Sequence, residues 1–288
     1  MVLSFVAVGA GACGKRAAGP APRLTPVSEA VRPAVLAEAA RKLGGAHYHA
    51  TLRYAVGRVG ATPLTVTTTT DVWLDRAGNY RLQEENDHDG GREVVLTGRE
   101  LAVALRYGKM IRRVAEEPEP SQLLAEGLGA PAAAFELCAS KARADQTGAA
   151  PGGAATEYAL SLGEPAKVAA KDSPPALPLV GLRAWRGNVA FDKLAGHAVV
   201  DDATGALLAF ELTAAWQAKG ANGEGAAERG TVEVHAALTE IGATAPVERP
   251  AADELVLRQR TVPEARELLH GLADERRSAP TTHQERRP

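Results

Sequence analysis

The stretch LTVTTTTDVWLDRAGNYRL, residues 64–82, decides the fold. Thr and Val recur from Leu64 to Leu74, and β-branched side chains suit a pleated strand and crowd a helix. Asp75-Arg76-Ala77-Gly78 supplies turn chemistry, and Asn79-Tyr80-Arg81 begins a second strand. So short a spacer joins antiparallel neighbours, because a parallel return needs a crossover of about a dozen residues or more. Outward from this hairpin the same punctuation repeats. Alternating runs at 47–57, 64–74, 80–85, 93–96, 101–106 and 110–114 are separated by Gly- and Asp-bearing turns at 58–60, 75–78, 87–91, Gly98 and Gly108.

The meander is framed by helices. Before it, Ser28 is placed to cap a helix whose apolar side is Val31, Val35, Leu36, Ala39 and Leu43, stopped by Gly44-Gly45. After it, Pro120 and Pro131 start two helices over 122–127 and 132–142, with Leu123, Leu124, Leu128, Phe135, Leu137 and Cys138 on the apolar side. Residues 147–154 then read as a Gly/Ala loop, 156–162 as a strand and 163–178 as a proline-rich loop. A second meander follows at 179–192, 197–201, 206–218 and 231–241, then a short helix at 263–272. The whole is an α+β protein built on an antiparallel sheet with a few helices.

Composition narrows the function classes. The 288 residues carry 33 basic and 35 acidic side chains, net −2, which supplies no basic field for nucleic acid. Aromatics are 4% of the chain, so Val, Leu and Ala carry the core and Trp73, Trp185 and Trp216 stand out. Two cysteines, Cys13 and Cys138, make neither a disulfide framework nor a cysteine metal centre. Past residue 13 no apolar run reaches the roughly eighteen residues of a membrane helix.

Catalytic motifs are missing: there is no G-x-S-x-G, H-E-x-x-H, Walker loop or G-x-G-x-x-G following a strand. His47 and His49 share one strand face, a spacing two imidazole ligands can use, but no third ligand accompanies them and no metal site is expected. Tyr48 between them is the residue expected to be buried. Asp87-His88-Asp89 reads as a hairpin loop, and Arg112-Arg113 beside Glu116-Glu117 as a solvated, mutually compensated surface. The chain reads as a non-enzyme without a cofactor.

Residues 1–13 form a short apolar segment ending Gly11-Ala12-Cys13, the length of a signal-peptide hydrophobic region and too short to span a bilayer. A cysteine after two small residues resembles the bacterial lipobox, in which that cysteine is acylated; Cys13 is thus the candidate lipidation site. No basic residue precedes the run, and Ala10 stands where the lipobox usually has Leu. Residues 14–27, rich in Pro, Ala and Gly, read as a flexible tether, 28–272 as a single domain, and 273–288 as a disordered tail.

This order of elements behind a candidate lipidated cysteine resembles the lipoprotein-carrier superfamily of bacterial envelopes, which includes the outer-membrane lipoprotein carrier and receptor and mycobacterial lipid-carrying lipoproteins. Trp73-x-Asp75-x-x-Gly78-x-Tyr80-Arg81 is similar to the family's first hairpin, Gly98-Arg99-Glu100-Leu101-Ala102 to a later turn, and 196–207 to its late hairpin. Leu238-Thr239-Glu240-Ile241-Gly242, with Pro246-Val247 and Pro250, resembles the closing strand and exit loop of the mycobacterial branch. The resemblance implies a strongly curved, incomplete β-barrel closed by helices, with residues 34–43 and 123–138 as the lid. It implies an envelope lipoprotein held at a membrane through Cys13, facing the periplasm and binding a lipid or an acylated protein in the concavity. Leu52, Tyr54, Val56, Val66, Val72 and Leu74, with Leu123, Leu124 and Phe135 from the helices, are the side chains expected to line it. An envelope lipoprotein that binds another protein with no lipid ligand is the alternative.

Overall fold

The protein is described here from a computed structural model, which places residues 25–138, 142–149, 154–163, 189–219 and 226–256. The leader with Cys13, most of the tether, Trp185, the helix expected at 263–272 and the tail lie outside the described residues.

Two short helices lead in, α1 (Val27–Ala30) and α2 (Pro33–Lys42). A single helix from Ser28 was the expectation. Pro33 breaks it by pushing the residue before it out of the helical region, and Arg32 is extended at φ −70°, ψ 129°. Pro33 then takes the first helical position, where its missing N–H does no harm, and Ser28 lies inside α1 instead of capping it.

The first meander runs β1 (Ala46–Arg58), β2 (Leu64–Leu74), β3 (Tyr80–Asn86), β4 (Gly91–Thr97), β5 (Glu100–Leu105) and β6 (Ile111–Val114). Helices α3 (Glu119–Gly127) and α4 (Ala130–Cys138) interrupt it. The second meander is β7 (Ala142–Ala149), β8 (Ala155–Leu162), β9 (Val189–Asp201), β10 (Leu207–Lys219) and β11 (Ala226–Thr239). All eleven join one antiparallel sheet in the order β6-β5-β4-β3-β2-β1-β11-β10-β9-β8-β7. The first and last strands of the series pair along their lengths, Tyr48 opposite Leu238 and Tyr54 opposite Val232, which seams the two meanders. The sheet stays open, with β6 and β7 as its edges. This is the curved, incomplete barrel with a few helices that the sequence led us to expect.

Two further regions differ from the sequence expectation, the first taking in the start of the loop expected at 147–154. Residues from Ala142 leave the helix and form β7, which pairs with β8. Residues 179–188 of the strand expected at 179–192 lie outside the described residues; from Val189 the chain runs without a break through the strand expected at 197–201 as one strand, β9, whose register slips opposite Ala215 and Trp216.

The period-two alternation sorts side chains onto the two faces of the sheet. On the inner face Tyr48, Val72, Tyr80, Leu82, Val94, Leu101, Phe210 and Leu212 are buried against Leu36 of α2, Leu128 and α4. Helix α3 packs on β2 and β3, and α4 on β1, β10 and β11. Gly127 allows the first of these approaches, since a Cβ there would stand 2.0 Å from Leu82 Cδ1 and 3.4 Å from Val72 Cγ2. Tyr80 ties the helix down by donating its hydroxyl to the Pro120 carbonyl at 2.8 Å.

The outer face carries a smaller apolar cluster. Val95, Ala102, Ala104 and Met110 are covered by Val247 and Leu255 from the chain after β11. That segment is pinned by Val247 N–H donating to the buried Asp75 carboxylate at 3.2 Å and by backbone hydrogen bonds between Met110 and residues 254 and 256.

Candidate functional site

The helices cover only part of the inner face. Going down β1 from Ala46, the inward residues are Tyr48, Ala50, Leu52, Tyr54 and Val56, and their β2 partners are Val72, Thr70, Thr68, Val66 and Leu64. Burial falls steadily along this path. Tyr48, Ala50, Val72 and Thr70 are buried, Leu52, Tyr54, Val66 and Thr68 are half-buried, and Val56 and Leu64 are 40% and 65% exposed. Among the described residues the inner face therefore has a packed half beneath α2, α3 and α4 and an open half toward the β1–β2 turn.

The residues expected to line a concavity divide between these halves. Val72, Leu74 and Phe135 belong to the packed core, Phe135 meeting Phe210 edge-on at 6.5 Å between ring centroids. Leu52, Tyr54, Leu123 and Leu124 are half-buried at its margin, and Val66 and Val56 lie further down the open half. Burial, with Cys138 nearby, pushes the Tyr54 hydroxyl above the usual tyrosine range. Tyr48 is driven up by burial too, and its hydroxyl has no hydrogen-bond partner among the described residues.

Across the seam the floor of the open half continues onto β11 and β10. Val56 stands opposite Gly230, and Gly230 opposite Trp216. The indole is 4% exposed and occupies the room above Gly230. On β9, Phe191 is the next residue in this row.

A polar group marks where helix cover ends on β3 and β4. Glu84 and Arg92 are register partners one step beyond Leu82 and Val94. Arg92 donates to Glu126 of α3 at 2.5 Å and to Glu84 at 3.4 Å. Burial works against the Arg92 charge, but the hydrogen bond to Glu126 and the charges of Glu84 and Glu126 outweigh it and hold the guanidinium above its usual range. Deeper under α3, Arg113 is 2% exposed and paired with Glu119, its Nε donating to Oε2 at 3.2 Å. Arg113 was expected on a solvated surface. Its strand instead turns it inward, where only a carboxylate from α3 makes burial of the charge tolerable.

The outer face holds the histidines. Asp71 Oδ1 lies 2.8 Å from His47 Nε2 and 2.9 Å from His49 Nδ1, and His47 stacks on Trp73 at 4.7 Å. Tyr48 between them is buried, as the alternation required. Glu211 is placed likewise between His197 at 3.5 Å and His235 at 3.7 Å. Among the described residues no set of three or more His, Cys, Asp or Glu side chains is arranged to hold a metal ion. His88 sits in the β3–β4 turn, its backbone N–H donating to Asn86 Oδ1 at 2.9 Å. Among the described residues no helix is long and apolar enough to cross a membrane.

Glu84, Arg92 and Glu126 were not singled out from the sequence. Arg92 and Glu126 are 34 positions apart, and only the fold brings them together.

Comparison with known proteins adds likenesses of fold. LprF from Mycobacterium bovis is similar over 77% of this chain and 97% of its own, at 12% identity and a TM-score of 0.28. A LolA superfamily protein from Nitrosomonas europaea is similar over 77% and 96%, at 9% identity and a TM-score of 0.20. An outer membrane lipoprotein-sorting protein domain from Vibrio parahaemolyticus is similar over 73% and 91%, at 10% identity and a TM-score of 0.21. No protein-family model matches the chain, and no curated protein does.

Proposed function

We propose that this protein binds the acyl portion of a lipid or acylated ligand on the open half of its inner face and does so in the bacterial cell envelope, anchored through Cys13. The observation that carries this is the run of apolar side chains on a concave sheet that the described residues leave open, Val56 and Leu64 exposed with Leu52, Tyr54 and Val66 half-buried beside them and half-buried Phe191 across the seam. Covering an acyl chain removes about 0.8 kcal/mol of unfavourable hydration per CH₂. The same contact relieves the exposure of Val56 and Leu64. The packed half supplies a rigid wall, so ligand binding does not require the core to open.

A signal segment ending at an acylated Cys13, followed by the tether, holds the half-barrel at a membrane surface facing the periplasm, where a lipid or acylated protein is available. Binding without chemistry fits this face, whose floor is apolar and whose Arg92 is held by two carboxylates. The test is uptake of a fluorescent fatty acid by the purified full chain, together with organic extraction of lipid from protein purified from its host. Uptake that is lost in Val56→Asp and Leu64→Asp, with the unfolding midpoint unchanged, is the expected result. Absence of both uptake and extractable lipid overturns the reading and leaves a protein ligand as the alternative. Palmitate labelling in the host, lost on Cys13→Ser, tests the anchor separately.

A further inference from the structure

The open half of the inner face is apolar on its β1, β2, β10 and β11 side and polar on its β3–β4 side. Thr68 and Asn86 are register partners there, next to Glu84 and Arg92. From this asymmetry we infer, resting on the acyl-binding reading above, that the ligand is an amphiphile whose head group donates hydrogen bonds and carries no negative charge.

Charge arithmetic decides the sign. Arg92, the inner-face cation on β4, is held between Glu84 at 3.4 Å and Glu126 at 2.5 Å. Arg106 donates to the Asn86 carbonyl at 2.9 Å and is paired with Glu85 at 3.5 Å. The turns 87–90 and 106–110, which edge this side, add Asp87, Asp89 and Lys109. By the strand alternation Glu85 and Arg106 pair with each other on the outer face, so on the inner face two carboxylates, Glu84 and Glu126, share one cation, Arg92, and with Asp87, Asp89 and Lys109 of the turns the excess is two negative charges. On the opposite lip Arg58 and Glu228 are register partners and cancel.

An incoming phosphate or carboxylate would displace a carboxylate from Arg92 or sit beside the excess negative charge, and like charges so placed weaken binding. Hydroxyl or ammonium groups meet acceptors here: the oxygens of Glu84 and Glu126 and the Thr68 hydroxyl. Glu126 is half-exposed, so its side chain can reach a ligand while still holding Arg92.

The experiment is displacement of a fluorescent acyl probe from the full chain by four amphiphiles sharing one chain: dodecanoate, its glycerol monoester, its methyl ester and dodecylamine. The glycerol monoester, the amine or both should displace the probe at concentrations at least about tenfold lower than dodecanoate, equivalent to roughly 1.4 kcal/mol. The methyl ester, lacking a donor, should fall behind the glycerol monoester. Which of the two donors leads tells a hydroxylated head from an ammonium one. Glu126→Lys should move the preference toward dodecanoate, and circular dichroism should confirm an unchanged fold. Equal displacement by all four, a preference for dodecanoate, or an indifferent Glu126→Lys overturns the head-group inference while leaving acyl binding intact. Failure to take up the probe at all overturns the acyl-binding reading beneath it.

Discussion

Trp216 fills the space above Gly230. A Cβ built on Gly230 would stand 2.0 Å from the indole Cζ2 and 2.3 Å from Cε2. The two residues are register partners across β10 and β11, beside the open half of the inner face. A rigid ring cannot move aside as the end of a leucine can, so Gly230→Ala must push Trp216 off its site or bend the β10–β11 pair. Overpacking of this kind costs about 1–3 kcal/mol. Denaturant unfolding should show that loss, and the buried tryptophan's emission should shift to the red. Trp216→Leu in the same chain should restore most of the stability lost in Gly230→Ala. Equal losses in the single and double variants would show that the glycine is needed for some other reason.

The meander was legible because period-two alternation and turn residues are local signals. The run 64–74 states its own inward face, and Tyr48 between two histidines states it again. What failed were positions decided by partners. The β7 segment ARADQTGA has one β-branched residue and continues the alanine pattern of α4, so only its pairing with β8 makes it a strand. The gap expected between strands at 193–196 is continuous strand because β10 pairs with Lys193 to Gly196 and β8 adds partners for Ala195 and Gly196, while the register slip falls beside Asp192. The divided inner face was illegible for the same reason. Nothing in the composition of α3 and α4 says how far down the sheet they reach, and Arg92 meets Glu126 only after α3 has docked.

Arg113 and Glu119 make the most buried ion pair among the described residues, with side chains 2% and 19% exposed. Two nitrogens of the guanidinium reach the two carboxylate oxygens, the fork geometry suited to such a pair. Removing the acid strands a buried cation, and breaking a buried pair from one side costs about 3–5 kcal/mol. Glu119→Ala should therefore lower stability far more than Glu38→Ala, whose partners Arg41 and Lys42 are all on the surface of α2. Paired chemical-denaturation curves settle it. A Glu119→Ala loss no larger than that of Glu38→Ala would mean that water reaches Arg113.

Tyr80 offers a graded test of how α3 is fixed. Its hydroxyl is buried and donates to the Pro120 carbonyl at 2.8 Å, and burial pushes it well above the usual tyrosine range, with Glu117 adding to the effect. Tyr80→Phe keeps the ring in the core but leaves that carbonyl without its donor, a loss of about 1–3 kcal/mol for a buried acceptor. Tyr158 donates to the Thr25 carbonyl at 3.2 Å from a more solvated position. Tyr158→Phe should cost less. Hydrogen exchange should also speed up at α3 amides in Tyr80→Phe and not in Tyr158→Phe; equal rates in the two variants would release α3 from this tether.

Asp87 gives the pH dependence its sign. Its Oδ1 accepts the Thr67 backbone N–H at 2.9 Å, and that hydrogen bond, with the neighbouring His88, holds the carboxyl below its usual range. A folded value below the unfolded one means the folded state binds its proton less readily. The contribution is then fully present above the ordinary aspartate value of about 3.9 and is lost as pH falls through the lower folded value. Asp87→Ala should be less stable than the parent at neutral pH, and the gap should narrow only once the solution is more acid than an ordinary aspartate's midpoint. The group is exposed, so the effect is small and best followed directly by carbon NMR of the Asp87 carboxyl. A midpoint at or above the ordinary value would show that the Thr67 hydrogen bond does not persist in solution, and the stability gap would then have another origin.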